Sequence, residues 1–549
     1  MSGAALGDVA RGAGLATGTV GGGTVNMAPL STRIVPGLVH DVWQQDKSLP
    51  KYPKLTSDEE DDVIIVGAGI AGLSIAYNLV QAGKKVIVLE RYSIGAGQTG
   101  RTTAHIMKWN DDYYYTLESK FGTHAASLVA DSHKKSIDWV KNVVEKENID
   151  CDFQLVPGYL FGHDDDIRHK AGPSSSTRKT LEKEFDAAHR LGLTDTQKVH
   201  LGYDTKRGTI ESASCSRTTA TSTRSSIQNM TLVYRSSYGL GKLCSKLTSQ
   251  HFPKLTSSPL LRPQYIHGLA RCIAEKGGKI FEQTRVMGQT ARDISTEDGH
   301  KVRARAGGGG VVLLTNSPID HNLAVHARQL ADRSYVVGLK IPKGSLERCS
   351  TAGQARWARA RADVARFGVL VYEPADNLGL YGVEPFSEVL DGGHLYIATG
   401  DSGQGMTGGT IAGIVIADPI LGKHNPWADV YSPKRMIHGL SSLAPLAEEF
   451  AKNIKGYGEL LLPSKLQSAD ALANDDGDIF QKGIHHVAAY KDAEGKLHEY
   501  SAICPHIKAL LQWNPLDKTF DCPCHGSIFD RYGRVINGPA KADLFPAPV

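Results

Sequence analysis

Long apolar runs are missing from this 549-residue chain: none approaches the roughly eighteen residues that a bilayer-spanning helix needs, so a membrane-integral protein is not expected. Charge of one sign is missing too. The formal net charge is only +4, with 62 basic and 58 acidic residues spread along the chain, which gives no electrostatic case for a nucleic-acid partner. Cysteine is scarce, eight residues without a regular framework, and that fits a reducing compartment better than secretion. The expected location is therefore cytoplasmic. What the chain does have is 41% apolar residues, enough for packed cores at a length that allows more than one domain.

The N-terminal stretch MSGAALGDVARGAGLATGTVGGGTVNMAPLSTRIVPG lacks an apolar h-region, so it does not read as a secretory signal. Its shortage of acidic residues leaves a mitochondrial presequence as the alternative, but disorder over residues 1–58 is the simpler expectation. Two further stretches lack core patterning. ESASCSRTTATSTRSSIQ (residues 211–228) and GQARWARARADVARFG (residues 353–368) read as surface loops or disorder, or as products of a faulty gene model.

The first patterned unit is DDVIIVGAGIAGLSIAYNLVQAGKKVIVLER. A buried strand over 63–66 leads through a glycine turn into a helix with apolar Leu73, Ala76 and Leu79, and then into a second strand over 86–89. Gly67, Gly69 and Gly72 stand as G-x-G-x-x-G in the turn. The first permits the turn, the second admits a pyrophosphate close to the backbone, and the third lets helix and strand approach. The helix N-terminus offers N–H groups to phosphate, and Glu90 at the end of the second strand can accept hydrogen bonds from ribose hydroxyls. A dinucleotide is expected here; the competing reading is a glycine turn that serves packing alone.

The choice of dinucleotide comes from resemblance. The same unit, GQTGRTTAH (97–105) and IATGDSGQGMTGGTIAG (397–413) together resemble the FAD-dependent D-amino-acid oxidase/glycine oxidase superfamily over about residues 60–440. The resemblance implies that Arg101, Thr102 and Thr103 line FAD, and that Gly403, Gly405, Met406 and Thr407 sit at the flavin's pyrimidine edge. A helix N-terminus there would stabilise negative charge on reduced flavin. His105 follows the flavin-contacting segment and is the one catalytic candidate, against a purely structural histidine.

Near the end of the chain, Cys504-x-His506 and Cys522-x-x-His525 form two mixed pairs. Zinc sites of the Cys2His2 kind usually pair like with like, whereas a Rieske [2Fe–2S] centre takes two thiolates on one iron and two imidazoles on the other. CPH, QWN, DCPCHGS and NGPA resemble Rieske domains over about residues 460–549. The resemblance makes Cys504, His506, Cys522 and His525 the cluster ligands. It also implies that a disulfide common in such domains is absent, because Ala509 occupies one of its two positions and Cys524 the other. Ser527 is expected to donate to a bridging sulfur, and Phe529 stands where a cluster-bonding tyrosine is common, so a low potential is expected.

The expected architecture is an α/β (α+β) FAD-binding Rossmann-type domain with an inserted substrate domain over 59–440, a linker over 441–459, and a small all-β Rieske domain over 460–549. The resemblance extends to FAD-dependent oxidoreductases with C-terminal Rieske domains. It implies oxidation of a small-molecule substrate at FAD, with the C–N bond of an amine or amino acid as the candidate, and electrons leaving through the cluster to an unidentified acceptor. The alternatives are a reductase that takes electrons inward and a non-catalytic redox sensor or product of a damaged reading frame. The substrate pocket falls in the least patterned regions.

Overall fold

The computed structural model describes residues 49–102, 105–151, 153–161, 175–199, 213–222, 229–234, 262–319, 323–340, 364–388, 393–435 and 468–547, all within one compact unit that runs from Val35 to Val549. Apolar residues at every position of β1 (Val63–Val66) and β2 (Val86–Leu89) demand cover on both faces, and both strands are wholly buried. Helix α1 (Ile70–Gln81) joins them, as its apolar spacing predicts. The chain continues through α2 (Tyr114–Lys146), bent at Gly122, α3 (Ser175–Arg190), α4 (Arg262–Glu275) and β3 (Lys279–Phe281). After these come β4 (Gly310–Leu313), the short α5 (Leu323–His326), β5 (Gln329–Lys340), β6 (Val364–Pro374), β7 (Leu380–Val383), β8 (Leu395–Thr399) and α6 (Gly405–Ile420).

Strands β7-β8-β4-β1-β2-β3 form one sheet in that order, parallel except for the antiparallel β7–β8 edge. Helices α1 and α6 cross closely because α6 carries glycine where it meets its neighbour: a Cβ on Gly413 would lie 2.5 Å from the Cβ of Ser74. β5 and β6 pair antiparallel over most of their length, with Asn229–Tyr234 on the far edge of β5. The fold is thus the expected α/β (α+β) kind, a mostly parallel sheet with antiparallel additions.

The C-terminal part is all β. β9 (Asp476–Lys482), β10 (His485–Lys491) and β11 (Leu497–Ser501) form one antiparallel sheet. β12 (Gln512–Asn514), β13 (Thr519–Asp521), β14 (Ile528–Asp530) and β15 (Val535–Asn537) form another. Tyr490, Ala509, Phe520 and Phe529 share its buried core with Cys504, Cys522 and Cys524.

Several expectations need correction. Residues 49–58 are not disordered: Leu55 is buried, its N–H donates to Thr284 Oγ1 at 3.1 Å, and the N–H of Tyr52 donates to Glu282 Oε2 at 2.9 Å. An extended segment without helical periodicity is held here by side-chain acceptors that are distant in sequence. Residues 213–222 of the Ser/Thr-rich stretch form a strand paired with Phe153–Phe161, not a loop. β-Branched threonine suits a pleated strand, and hydroxyl-rich composition hid that propensity. Residues 364–368 of the Arg/Ala-rich stretch likewise belong to β6. The rest of both stretches, most of the tail, and the expected linker lie outside the described residues.

The large and small parts pack against each other. Leu370 and Tyr372 of β6 form a buried apolar cluster with Ile528 of β14 and Ile536 of β15, flanked by Tyr92 and Ala331. Around it, Arg333 donates to Asp517 at 2.7 Å and to Asp521 at 3.0 Å, and Arg285 reaches Asp543 and the carbonyl of Lys541.

Candidate functional site

The junction of β1 and α1 can be built only with glycine at two positions, Gly67 in the turn and Gly72 in the first turn of the helix. Gly67 has φ +108°, and a Cβ there would meet the Leu314 carbonyl oxygen at 2.4 Å. A Cβ on Gly72 would stand 1.9 Å from the Gly67 carbonyl oxygen. The turn faces a cavity of about 290 Å³ lined by Gly67, Gly69, Glu90, Arg101 and Thr102, with Gly403, Gly405 and Met406 on another wall. One oxygen of Glu90 accepts the Ala68 N–H at 2.8 Å and the other accepts the Tyr92 N–H at 2.9 Å. Burial pushes its pKa up, against the pull of those two donors. Each carboxylate oxygen keeps a second lone pair for a ligand hydroxyl.

Not every expected residue reaches this space. Thr103 lies outside the described residues. Thr407 is fully buried and turned toward the strand Ile106–Met107, where its Oγ1 accepts the Met107 N–H at 3.0 Å. His105 immediately precedes that strand and does not line the cavity.

Thr99 and Asp401 stand inside the motif segments 97–105 and 397–413, but their roles come from contacts that the sequence does not record. Thr99 Oγ1 accepts the Ile70 N–H at 3.1 Å and so caps α1 from the short 3-10 turn Gln98–Arg101, which also lines the cavity. Asp401 lines this cavity and a smaller neighbouring space of about 20 Å³. Burial raises its pKa to about 6, while the hydroxyl of Tyr381 donates to it at 2.7 Å. Most informative is the origin of part of the lining: Ile528, Ile536, Asn537 and Lys541 come from the small C-terminal part.

In that part, the loop after β11 supplies Cys504 and His506, and the loop between β13 and β14 supplies Cys522 and His525. The two thiols come together as one pair and the two imidazoles as another. The Cys504 and Cys522 thiols are in hydrogen-bonding contact, and the ring centroids of His506 and His525 are 5.3 Å apart. A thiol pair beside an imidazole pair fits a two-iron cluster better than one tetrahedral ion, which would draw all four donors to a single point. The contact with Cys522, together with burial, pushes the Cys504 thiol well up. Burial, followed by the neighbouring His326 and His506, lowers His525 to about 3, which keeps its imidazole neutral, the form that ligates metal.

Cys524 is a buried free thiol beside Cys522, and Ala509 is fully buried. Ser527 Oγ accepts the Ala540 N–H at 3.0 Å and also bonds to the Cys504 thiol. Its position is thus fixed at a cysteine of the first loop.

Comparison with known proteins matches two stretches of this chain. Residues 62–208 match the family described as FAD dependent oxidoreductase (DAO), and residues 464–548 match the Rieske [2Fe-2S] domain. The chain is 25% identical to a Bacillus subtilis protein named as a Rieske 2Fe-2S iron-sulfur protein, YhfW, over 91% of this chain and 96% of that one. It is 28% identical to the cytochrome b6-f complex iron-sulfur subunit 1 of Cyanophora paradoxa, over 24% of this chain and 54% of that one. It is also 32% identical to gamma-glutamylputrescine oxidoreductase of Escherichia coli, over 18% of this chain and 23% of that one. Among the described residues no helix is long and apolar enough to cross a membrane. The chain therefore joins an FAD-dependent oxidoreductase domain of the DAO family to a C-terminal Rieske [2Fe–2S] domain.

Proposed function

We propose that the protein oxidises a small amine or amino acid at its C–N bond and passes the electrons through its own Rieske centre to a further acceptor. The observation that carries this reading is the shared wall. The cavity behind the glycine turn is lined from both domains, and Tyr372, one of its lining residues, also donates to the backbone carbonyl of His525 at 3.1 Å. The name of the E. coli relative, an oxidoreductase of an amine, supports the C–N part. When bound, FAD takes two electrons from a substrate and can release them singly, which suits a one-electron cluster.

The chain's own residues supply the rest. In this reading the Gly67 to Gly72 turn and the α1 N-terminus take the pyrophosphate, and Glu90 orients the ribose. Arg101, Thr102, Gly403, Gly405 and Met406 wall the cavity, while Ile528 and Ile536 exclude water from it. Cys504 and Cys522 hold one iron, and His506 and His525 hold the other. The same reading gives an FAD-binding domain that takes in the packed segment 49–58 ahead of the expected start at 59 and runs to about residue 440, and a Rieske domain over 460–549.

Anaerobic mixing of the purified protein with a panel of amines, amino acids and NAD(P)H tests this. Bleaching of the flavin by an amine or amino acid is expected. Bleaching by NAD(P)H alone would reverse the direction of electron flow and sink the proposal.

A further inference from the structure

The imidazole edge of the proposed cluster site is not left to the small domain. His326, at the end of α5 in the flavin-binding domain, has its ring centroid 5.4 Å from that of His506 and 5.4 Å from that of His525. With the 5.3 Å between the two ligand candidates, the three rings make a nearly equilateral triangle. His326 is 1% exposed, so this is a packed contact and not a surface approach. Two more residues of the flavin-binding domain fix the same edge. Tyr372 holds the His525 carbonyl, and Arg333 is bound to Asp517 and Asp521, which flank the second ligand loop on its N-terminal side.

We propose that His326 is a positioning residue of the cluster site, a third imidazole that closes the histidine edge against solvent and sets the environment of both ligating rings. The proposal rests on the assignment of His506 and His525 as ligands made above. Its physical basis is general. The potential of an iron–sulfur centre depends on solvent exposure and on the groups packed against its ligands. Here those groups come from the domain that binds the other cofactor. The cluster's properties should therefore depend on a residue outside the Rieske domain.

The test uses the full-length protein with both cofactors and compares His326→Leu, His326→Gln and the unaltered chain. Three quantities are read: iron and labile sulfide per chain, the EPR spectrum of the reduced cluster, and the midpoint potential by mediated titration. The expected result is a displaced midpoint and changed g-values in both variants, with iron content retained; loss of iron from a variant that still melts cooperatively supports the same role. If His326→Leu does not fold, His326→Gln, which keeps a polar side chain of similar size, decides. Iron-replete variants with the unaltered midpoint and spectrum would overturn the proposal while leaving the ligand assignment standing. Absence of iron and of any Rieske-type signal from the unaltered protein would overturn both.

Discussion

The hydroxyl of Tyr372, on a strand of the flavin-binding domain, donates to the backbone carbonyl of His525 in the second ligand loop at 3.1 Å. The same residue lines the dinucleotide cavity and is 3% exposed. One buried side chain thus touches both sites. It packs with Leu370, Ile528 and Ile536 between the two domains, and the ion pairs of Arg333 with Asp517 and Asp521 join the same two domains.

Gly72→Ala should abolish flavin retention. The new Cβ would fall 1.9 Å from the Gly67 carbonyl oxygen, an overlap that neither helix nor turn can absorb without shifting, and overpacking of this kind costs about 3 kcal/mol or more. Gly83→Ala is the control: it has φ +81° with nothing within 4 Å of the added carbon, so it should cost only about 1 kcal/mol and keep the flavin. Flavin-to-protein ratio and thermal melts read both.

Cys522→Ser should strip the protein of iron, whereas Cys524→Ser should leave iron content nearly unchanged. Both thiols are buried and adjacent, so burial alone does not separate them. Only the first is assigned to the cluster. Equal iron loss in the two variants would show that the third thiol takes part in binding.

The cluster's midpoint should lie toward the low end of the roughly −150 to +300 mV span of such centres. Phe529 is fully buried in the small domain's core and offers no hydroxyl, and Ser527 is the donor that remains beside Cys504. Phe529→Tyr should raise the midpoint if its hydroxyl reaches a sulfur, and Ser527→Ala should lower it. Titration near the top of the span in the unaltered protein would contradict this.

Glu184 gives a pH signature independent of either cofactor. It is fully buried and accepts the N–H groups of Tyr114 and Tyr115 at 2.8 and 2.9 Å, at the start of α2. Burial outweighs those donors and raises its pKa to about 7 from the ordinary 4.5. Between those values the native state binds more protons than the unfolded chain, so this group's contribution is full below about 4.5 and is lost as pH rises toward 7. Glu184→Gln should flatten that part of the profile in denaturant melts. An unchanged slope would show that the carboxyl titrates normally.

Much of this was legible in local sequence, for a physical reason. Gly67, Gly69 and Gly72 act through the backbone of one turn, and Cys504, His506, Cys522 and His525 lie on two short loops, so spacing alone records their chemistry. Tyr372, His326 and Arg333 are different. Their roles arise where two domains meet, from partners more than 140 positions away, and no periodicity marks them. Thr407 sits at the expected motif position, yet the packing of α6 turns it toward Met107 and away from the cavity. The strand at 213–222 was hidden by composition: serine and threonine suit a paired strand as well as a loop, and pairing with Phe153–Phe161 decided between them.

The central claim is that the two sites work as one redox unit. The most direct measurement is anaerobic, rapid-freeze EPR during reduction by whichever amine or amino acid bleaches the flavin. The account predicts that the reduced Rieske signal grows as the flavin is reduced, within single molecules and at a rate independent of protein concentration. A flavin that bleaches fully while the cluster stays oxidised, or a cluster reduced at a rate that scales with protein concentration, would contradict it.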